Sequence, residues 1–362
     1  MANDVRGSAL ALALMLLMAC SGGGSAPPAP SGSAPPAPAA PMSSAASTPT
    51  TPAQPAAPVK VRGAWVAETA NQMIWPTAKE AGYFDKYGVD FDLGYVQGSL
   101  TSVAAMVGGD LDVTNVAGSA VVSAQAEGTD LVMVAGFLNQ AVFRVMAMPS
   151  IQRIEDVKGK TIAVTRVGNA DYFAWQTVLE HVGLSTDDVH FVSAQSVSGQ
   201  VSLLGTGEAQ AIAVSPPNDV LAEDIGAHLV LDTTSLHEPE QNNGMAVTRQ
   251  YLNAHHDAML NVIKASIEAM ARWKRDPAFE KDVIRKYLKQ DNQRFIDVGE
   301  EAYAPLWPEA PYPTREGMQK VIQQVATQNP KAANLNVDQL IDTSLVKELE
   351  DSGFIRQVYA QR

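Results

Sequence analysis

The chain of 362 residues contains a single cysteine, Cys20. The body that follows it can therefore hold no intrachain disulfide, no cysteine-based zinc site and no thiol nucleophile. Basic residues are also scarce: 26 Lys and Arg stand against 39 Asp and Glu, a formal charge of −13. That balance argues against nucleic acid or an anionic lipid surface as a partner, because a phosphate backbone rewards basic patches. It does not forbid an anionic ligand, since a small pocket becomes locally positive through helix ends and one or two arginines. No GxGxxG follows a strand, and GxxxxGK(S/T) and GxSxG are missing, so nucleotide binding and hydrolase chemistry lack their usual parts. Histidines number six, and the run His255-His256-Asp257 looks like a metal cluster. Adjacent histidines, however, point to different sides of a helix, so the run reads as a solvated turn; no metal and no cofactor are expected.

What is present begins with an export signal. Arg6 is followed by an apolar run from Ala9 to Ala19 that is too short to span a bilayer, and Leu17-Met18-Ala19-Cys20 closes it with a small residue before the cysteine. Residues 1–20 resemble a bacterial lipoprotein signal, which implies that Cys20 becomes the lipid-bearing first residue; an ordinary secretory signal with an incidental cysteine is the alternative. Residues 21–58 are Pro, Ala, Ser, Thr and Gly with no charged residue, a disordered tether that cannot form a core. The charge thus sits on residues 59–362, a length suited to two lobes.

The stretch from Tyr95 to Val122 is the part around which the rest is arranged. It reads as strand, helix, strand, helix. Ser99 is placed to cap a helix whose apolar residues Leu100, Val103, Ala104 and Val107 share one face, and Gly108-Gly109 stops it. Val113 to Val116 is a strand, after which Gly118-Ser119 opens a second helix, so two helix N-termini meet at one edge of a parallel sheet. Such an edge collects anions. Around it the signals alternate: strands at Val61–Val66, Val89–Val96 and Leu131–Ala135, a connection at Phe143–Ser150, strands at Lys160–Thr165, Val189–Val192, Ala211–Val214 and His228–Leu231, with helices at Asp171–Val182, Gly199–Leu204 and Pro217–Ile225 between them. Met106-Val107-Gly108-Gly109-Asp110 is echoed by Leu203-Leu204-Gly205-Thr206-Gly207-Glu208, which supports two related lobes. After a second connection, Thr233–Asn243, the pattern is mostly helical: Leu260, Ile263, Ile267 and Met270 form one stripe, Asp276-Pro277 starts a helix, and Thr314 is placed to cap another.

GYFDKYGVDFDL, GGDLDVTNVAGSA, DVKGKTIAVTRVGNADY, VLEHVGLSTDDV and AVSPPND occur in the order and approximate spacing of periplasmic binding proteins from nitrate, sulfonate and taurine importers. The chain resembles that family, which is similar to the thiamine-pyrimidine binding proteins, over most of residues 59–240. The resemblance implies an α/β type II periplasmic-binding-protein fold, with two Rossmann-like lobes, a ligand cleft between them and a helical C-terminal region. Lobe 1 is expected at 59–145 plus 240–362 and lobe 2 at 146–239.

Five helix starts are expected to converge on the cleft: the turn holding Glu68, Thr69, Asn71 and Gln72, then Gly98-Ser99-Leu100, Gly118-Ser119, Arg166 to Tyr172, and Ser215-Pro216-Pro217-Asn218. The expected ligand contacts are Asn71, Gln72, Gly98, Ser99, Leu100, Gly118, Ser119, Arg166, Asn169, Tyr172, Ser215 and Pro216, foremost Ser99, Gly118, Ser119 and Asn169, with Arg166 as a bidentate partner for an anion. Each polar residue among them has an alternative as a helix cap facing water. Trp65, Trp75 and Tyr172 are either walls for the apolar part of a ligand or core aromatics. Asp171 and Glu68 cut the other way, because either of them in the cleft favours a zwitterion or an aromatic amine over a pure anion.

The function so implied is that of an extracytoplasmic lipoprotein of an ABC importer. It captures a small organic anion, sulfonate-, taurine- or carboxylate-like, by hinge closure and passes it to a membrane permease. It is expected to be a membrane-anchored monomer at the periplasm or cell surface with no catalytic residues. Two alternatives stay open: an enzyme on the same fold, of the pyrimidine or menaquinone-precursor type, and a ligand sensor without a transport role.

Overall fold

The computed structural model describes residues 57–361; the signal segment, Cys20 and residues 21–56 of the tether lie outside them. The first elements are β1 (Val59–Trp65), α1 (Ile74–Glu80), α2 (Tyr83–Lys86), β2 (Val89–Tyr95), α3 (Ser99–Val107), β3 (Val113–Val116), α4 (Gly118–Ala126) and β4 (Leu131–Gln140). Then follow β5 (Arg144–Ala147), β6 (Thr161–Val164), α5 (Ala170–His181), β7 (His190–Ser193), α6 (Val197–Thr206), β8 (Ala211–Val214), α7 (Asn218–Asp224) and β9 (His228–Asp232). The chain closes with β10 (Pro239–Thr248), α8 (Arg249–Ala254), α9 (His256–Arg275), α10 (Pro277–Leu288), α11 (Gln293–Tyr303), α12 (Arg315–Ala326), α13 (Val337–Leu340), α14 (Ser344–Asp351) and α15 (Phe354–Ala360).

The strands form two sheets of the same design, β2-β1-β3-β10-β4 and β7-β6-β8-β5-β9. In each, four strands run in the same direction and one, β10 or β5, lies antiparallel between its two neighbours. The sheets are therefore mixed rather than purely parallel. The sequence echo has a counterpart here, since α3-β3 and α6-β8 occupy equivalent places. The antiparallel strands are exchanged: β5 follows β4 but joins the second sheet, and β10 follows β9 but joins the first.

Two stretches read from sequence as connections are thus strands. Arg144–Ala147 pairs with β8 and β9, and Pro239–Thr248 pairs with β3 and β4. The second was hidden because Glu240, Gln241, Asn242 and Asn243 are polar, yet all four are buried. Polar side chains inside a sheet need partners. Gln241 Nε2 donates to the Asn243 carbonyl at 3.2 Å, and its Oε1 accepts from the Thr314 N–H at 2.9 Å. Thr314 stands at the cap position of α12, where its hydroxyl makes no capping bond. At Gly244 an added Cβ would lie 2.2 Å from the Ala135 carbonyl oxygen, so close an approach of β10 to β4 that only glycine fits.

Helices pack on both sheets. Leu260, Ile263, Ile267 and Met270 of α9 are all buried, and the same core takes Trp75, Trp273 and Trp307. Trp75 donates its indole N–H to Ser266 Oγ at 3.1 Å, the partner a buried indole requires. Asp276 caps α10 by accepting from the Phe279 N–H at 3.2 Å, with Pro277 in the first turn. His255 precedes α9 and stacks on Tyr251 at 4.2 Å, and Asp257 is exposed.

Candidate functional site

Parallel strands of both sheets end at one cavity of about 100 Å³. One water occupies roughly 10–15 Å³ on that measure, so the space suits a small molecule. One side is built by the turns after β1, β2 and β3, with Thr69, Asn71, Gln72, Gly98, Ser99 and Ala117. The other is built by the turns after β6, β7 and β8, with Thr165, Asn169, Asp171, Gln195, Ser196, Gln200 and Ser215. Phe143, at the crossing from β4 to β5, and Asn242 and Asn243, on β10, complete the wall. Binding at the carboxyl ends of parallel strands is the general rule for open α/β sheets.

The polar part of the lining is rich in carboxamides, and three of them are held in fixed orientations. Gln200, 1% exposed, donates Nε2 to the Ala163 carbonyl at 3.0 Å and to Asp171 Oδ2 at 3.1 Å. Asn243, 2% exposed, donates Nδ2 to the Asn71 carbonyl at 3.0 Å. Asn169 donates Nδ2 to Thr165 Oγ1 at 3.0 Å, and that hydroxyl gives its own proton to Asp171 Oδ1 at 2.7 Å. Each amide nitrogen faces an acceptor, so each amide oxygen is the atom left over. Asn169 Oδ1, Gln200 Oε1 and Asn243 Oδ1 are buried and find no donor among the described residues.

Asp171 is the charged group of this wall. Burial pushes its carboxyl up to about 6, although bonds from Thr165, from its own N–H and from the Tyr172 N–H act against the rise. The carboxylate accepts from the Thr165 N–H at 2.5 Å and turns back over the first turn of α5. The anion-attracting end of α5 is thus occupied by the chain's own carboxylate. No Lys or Arg belongs to the lining. Arg144, beside Phe143, is engaged by Asp219 and Asp232. At the mouth, Glu68 stands next to Tyr95, whose phenol is raised to about 12 by burial and by this carboxylate. Tyr95 packs on Trp65 with ring centres 4.3 Å apart.

The structure brings Asn71, Gln72, Gly98, Ser99, Asn169 and Ser215 together at the cavity and leaves the other six expected contacts outside its lining. Ser99 is the first residue of α3 rather than its cap, and its Oγ accepts from the Ala117 N–H at 3.2 Å. Leu100 turns toward Gly168 of the facing lobe. Gly118 and Ser119 are buried under β10, where a Cβ on Gly118 would meet the Gln241 carbonyl oxygen at 2.8 Å. Arg166 is exposed. Tyr172 lies in the core against Phe173 and Phe191 and accepts from Gln328 at 2.8 Å, and Pro216 is buried with its carbonyl accepting from Tyr303 at 3.1 Å. Trp75 is likewise a core residue.

Several wall residues were not singled out in the sequence, among them Gln195, Ser196, Gln200, Asn242 and Asn243. Two signals pointed to them: an amide one turn before Leu204 on the buried face of α6, and the unbroken amide run Gln241-Asn242-Asn243.

The family model described as NMT1/THI5 like matches residues 69–278. The chain belongs to the NMT1/THI5-like family. No curated protein sequence matches it. Solved structures similar to this NMT1/THI5-like chain include the alkanesulfonate-binding protein SsuA from Xanthomonas axonopodis pv. citri bound to MOPS, at 17% identity and TM-score 0.64, covering 78% of this chain and 96% of that one. The periplasmic nitrate-binding protein NrtA from Synechocystis PCC 6803 is similar at 13% identity and TM-score 0.70, with 84% and 91% covered. The Candida albicans CA3427 gene product, described as having the generic periplasmic binding protein structural fold, is similar at 12% identity and TM-score 0.58, with 81% and 95% covered. Identities this low carry the fold, and the fold is that of periplasmic binding proteins.

In the NMT1/THI5-like chain the two lobes meet across the cavity. Gln97 Nε2 donates to the Gln195 carbonyl at 2.5 Å, and Asn218 Nδ2 donates to the Glu68 carbonyl at 2.9 Å. These bonds join the turn after β2 to the turn after β7, and the turn after β1 to α7.

Proposed function

We propose that this NMT1/THI5-like chain is an extracytoplasmic receptor that captures a small organic ligand by hinge closure and passes it to the permease of an ABC importer. The observation that carries this reading is a small, partly open cavity between two sheets, whose apolar surface is interspersed with neutral hydrogen-bonding side chains and which is bridged by Gln97–Gln195 and Asn218–Glu68. Fixed amides suit recognition, since they bind without exchanging protons. The bodies that close are the expected lobes, 59–145 plus 240–362 and 146–239, with the boundaries moved to keep β5 whole in the second and β10 whole in the first. An acidic group on the ligand, sulfonate-, taurine- or carboxylate-like, meets the first turn of α3, whose cap Gly98 supplies no side chain to satisfy the leading N–H groups. Cys20 carries a lipid that holds the monomeric receptor at the membrane on its tether.

A thermal-shift panel of alkyl and aryl sulfonates, taurine, nitrate, carboxylates, amino acids and pyrimidines, followed by calorimetry and small-angle scattering on each hit, tests this. A bound ligand raises the melting temperature by mass action, and closure lowers the radius of gyration. A compound turned over rather than bound intact would overturn the receptor reading. For the anchor, incorporation of a labelled fatty acid must disappear in Cys20→Ala.

A further inference from the structure

Beside the inter-lobe cavity, and sharing Glu68 and Tyr95 with it, lies a second and roomier hollow of about 400 Å³. Trp65 and Tyr95 line it from the ends of β1 and β2, and Lys286 to Lys289 from the end of α10. All of these belong to the lobe of the first sheet, so the hollow takes no wall from the other lobe. Trp65 and Tyr95 pack on each other with ring centres 4.3 Å apart, yet Tyr95 is 39% exposed, an unusual amount for a large apolar side chain of this protein. Facing the ring pair are two cations. Lys286 is held by Glu80 at 2.7 Å and lies 5.7 Å from the centre of the Tyr287 ring, whose hydroxyl donates to the other oxygen of Glu80 at 2.8 Å. The ion pairs of α10 engage Lys281, Arg285 and Lys286, and leave Lys289 without a partner among the described residues. Lys289 also ends α10 in the left-handed region, with φ 53°, where glycine or asparagine is the ordinary choice. A lysine kept in a costly backbone conformation beside bare aromatic rings points to a use for its charge.

We infer that this hollow is a second binding site, outside the inter-lobe cavity, for a planar aromatic acid, an aryl carboxylate or aryl sulfonate. Its ring lies against Trp65 and Tyr95, and its acid meets Lys289 with Lys286 beside it. Glu68 sets the orientation: it also lines the cavity, and its carboxylate repels an acid on that side, which directs the acid toward α10. A neutral ring forgoes the cations and a small alkyl acid forgoes the rings, so each half of the ligand is needed. The inference goes beyond the receptor reading and does not rest on it. With walls from a single lobe, the site is available whether the lobes are apart or closed.

Calorimetry on the full-length protein at low ionic strength, where an exposed ion pair is least screened, tests this with 2-naphthalenesulfonate, the neutral 2-naphthalenemethanol and the ringless methanesulfonate. The naphthalenesulfonate is expected to bind with a Kd below about 1 mM, about tenfold or more tighter than either control. Lys289→Gly, which suits the left-handed backbone, should weaken it about fivefold, the scale of one exposed ion pair, without lowering the melting temperature of the unliganded protein. Tyr95→Ala should weaken it about tenfold. Asn169→Phe, which intrudes on the inter-lobe cavity from the other lobe, should leave it unchanged. No binding at about 10 mM, indifference to both Lys289→Gly and Tyr95→Ala, or loss in Asn169→Phe each overturns the inference. The last of these places the probe between the lobes and leaves the receptor reading intact, whereas turnover of a compound from the wider panel overturns that reading and leaves the outer site to be judged by its own variants.

Discussion

Glu280 offers a test of the core that does not involve the ligand. It lies on α10 against α1, is fully buried, and accepts a hydrogen bond from Thr77 Oγ1 at 2.6 Å through Oε2, while Oε1 has no partner among the described residues. Burial pushes this carboxyl from its ordinary 4.5 up to about 8. Between those values the folded state holds a proton that the unfolded state has released, so stability must fall as pH rises. The contribution is complete below the unfolded value and is lost as pH passes through the folded one. The slope is about 1.36 kcal/mol per pH unit, so the whole window is worth on the order of 5 kcal/mol. Glu280→Gln reproduces the protonated form, one oxygen to accept from Thr77 and one donor, at every pH. Urea unfolding from about pH 5 to 8 should show the variant within about 1 kcal/mol of the parent at the acid end and more stable by about 3 kcal/mol or more at the alkaline end. Asp171 titrates in the same range in both proteins, so the difference between them isolates Glu280. Stability curves that run parallel, with a constant offset, would refute the reasoning.

The contacts described above lead to two further expectations. Gly244→Ala places a methyl against the Ala135 backbone and should cost about 3 kcal/mol or more, visible as a lower urea midpoint; a neutral change would mean that β10 and β4 are further apart than described. Gln97→Ala combined with Asn218→Ala removes two of the bonds between the lobes, those beside the cavity, at roughly 1 kcal/mol each. Ligand affinity should fall about tenfold or more, with the ligand-free melting temperature little changed, and unchanged affinity would show that these bonds do not hold the closed state.

Much of this was legible in the sequence, for reasons that individual residues make clear. Val113–Val116 and the helix starting at Gly118 have the bounds read from their apolar runs and glycine punctuation, because both elements are buried and their pattern is dictated by burial alone. β10 escaped because its first half has the composition of a loop, and only its tertiary neighbours make four buried polar side chains tolerable. Tyr172 was misplaced although its spacing held the answer: it stands three residues before Trp175 and seven before Leu179, on the stripe that faces the core. Ser99 was read as a cap, but Gly98 takes that position in a backbone conformation a serine rarely adopts. The carboxamides of the wall were out of reach for a different reason. Which amide atom is spare depends on what its other end touches, and those partners lie up to 172 residues away.

The exchange of β5 and β10 also gives the two sheets different sequence separations. All five strands of the second sheet lie in one continuous stretch from Arg144 to Asp232, whereas the first sheet keeps a gap between β3 and β4 until residues beyond 239 arrive. The inner lobe can complete itself from local chain, while the outer one must wait for a strand from beyond the inner lobe, a contact of high sequence separation that is slow to form. Asn242 and Asn243 come with that last strand. A half-folded chain therefore has no finished cavity wall.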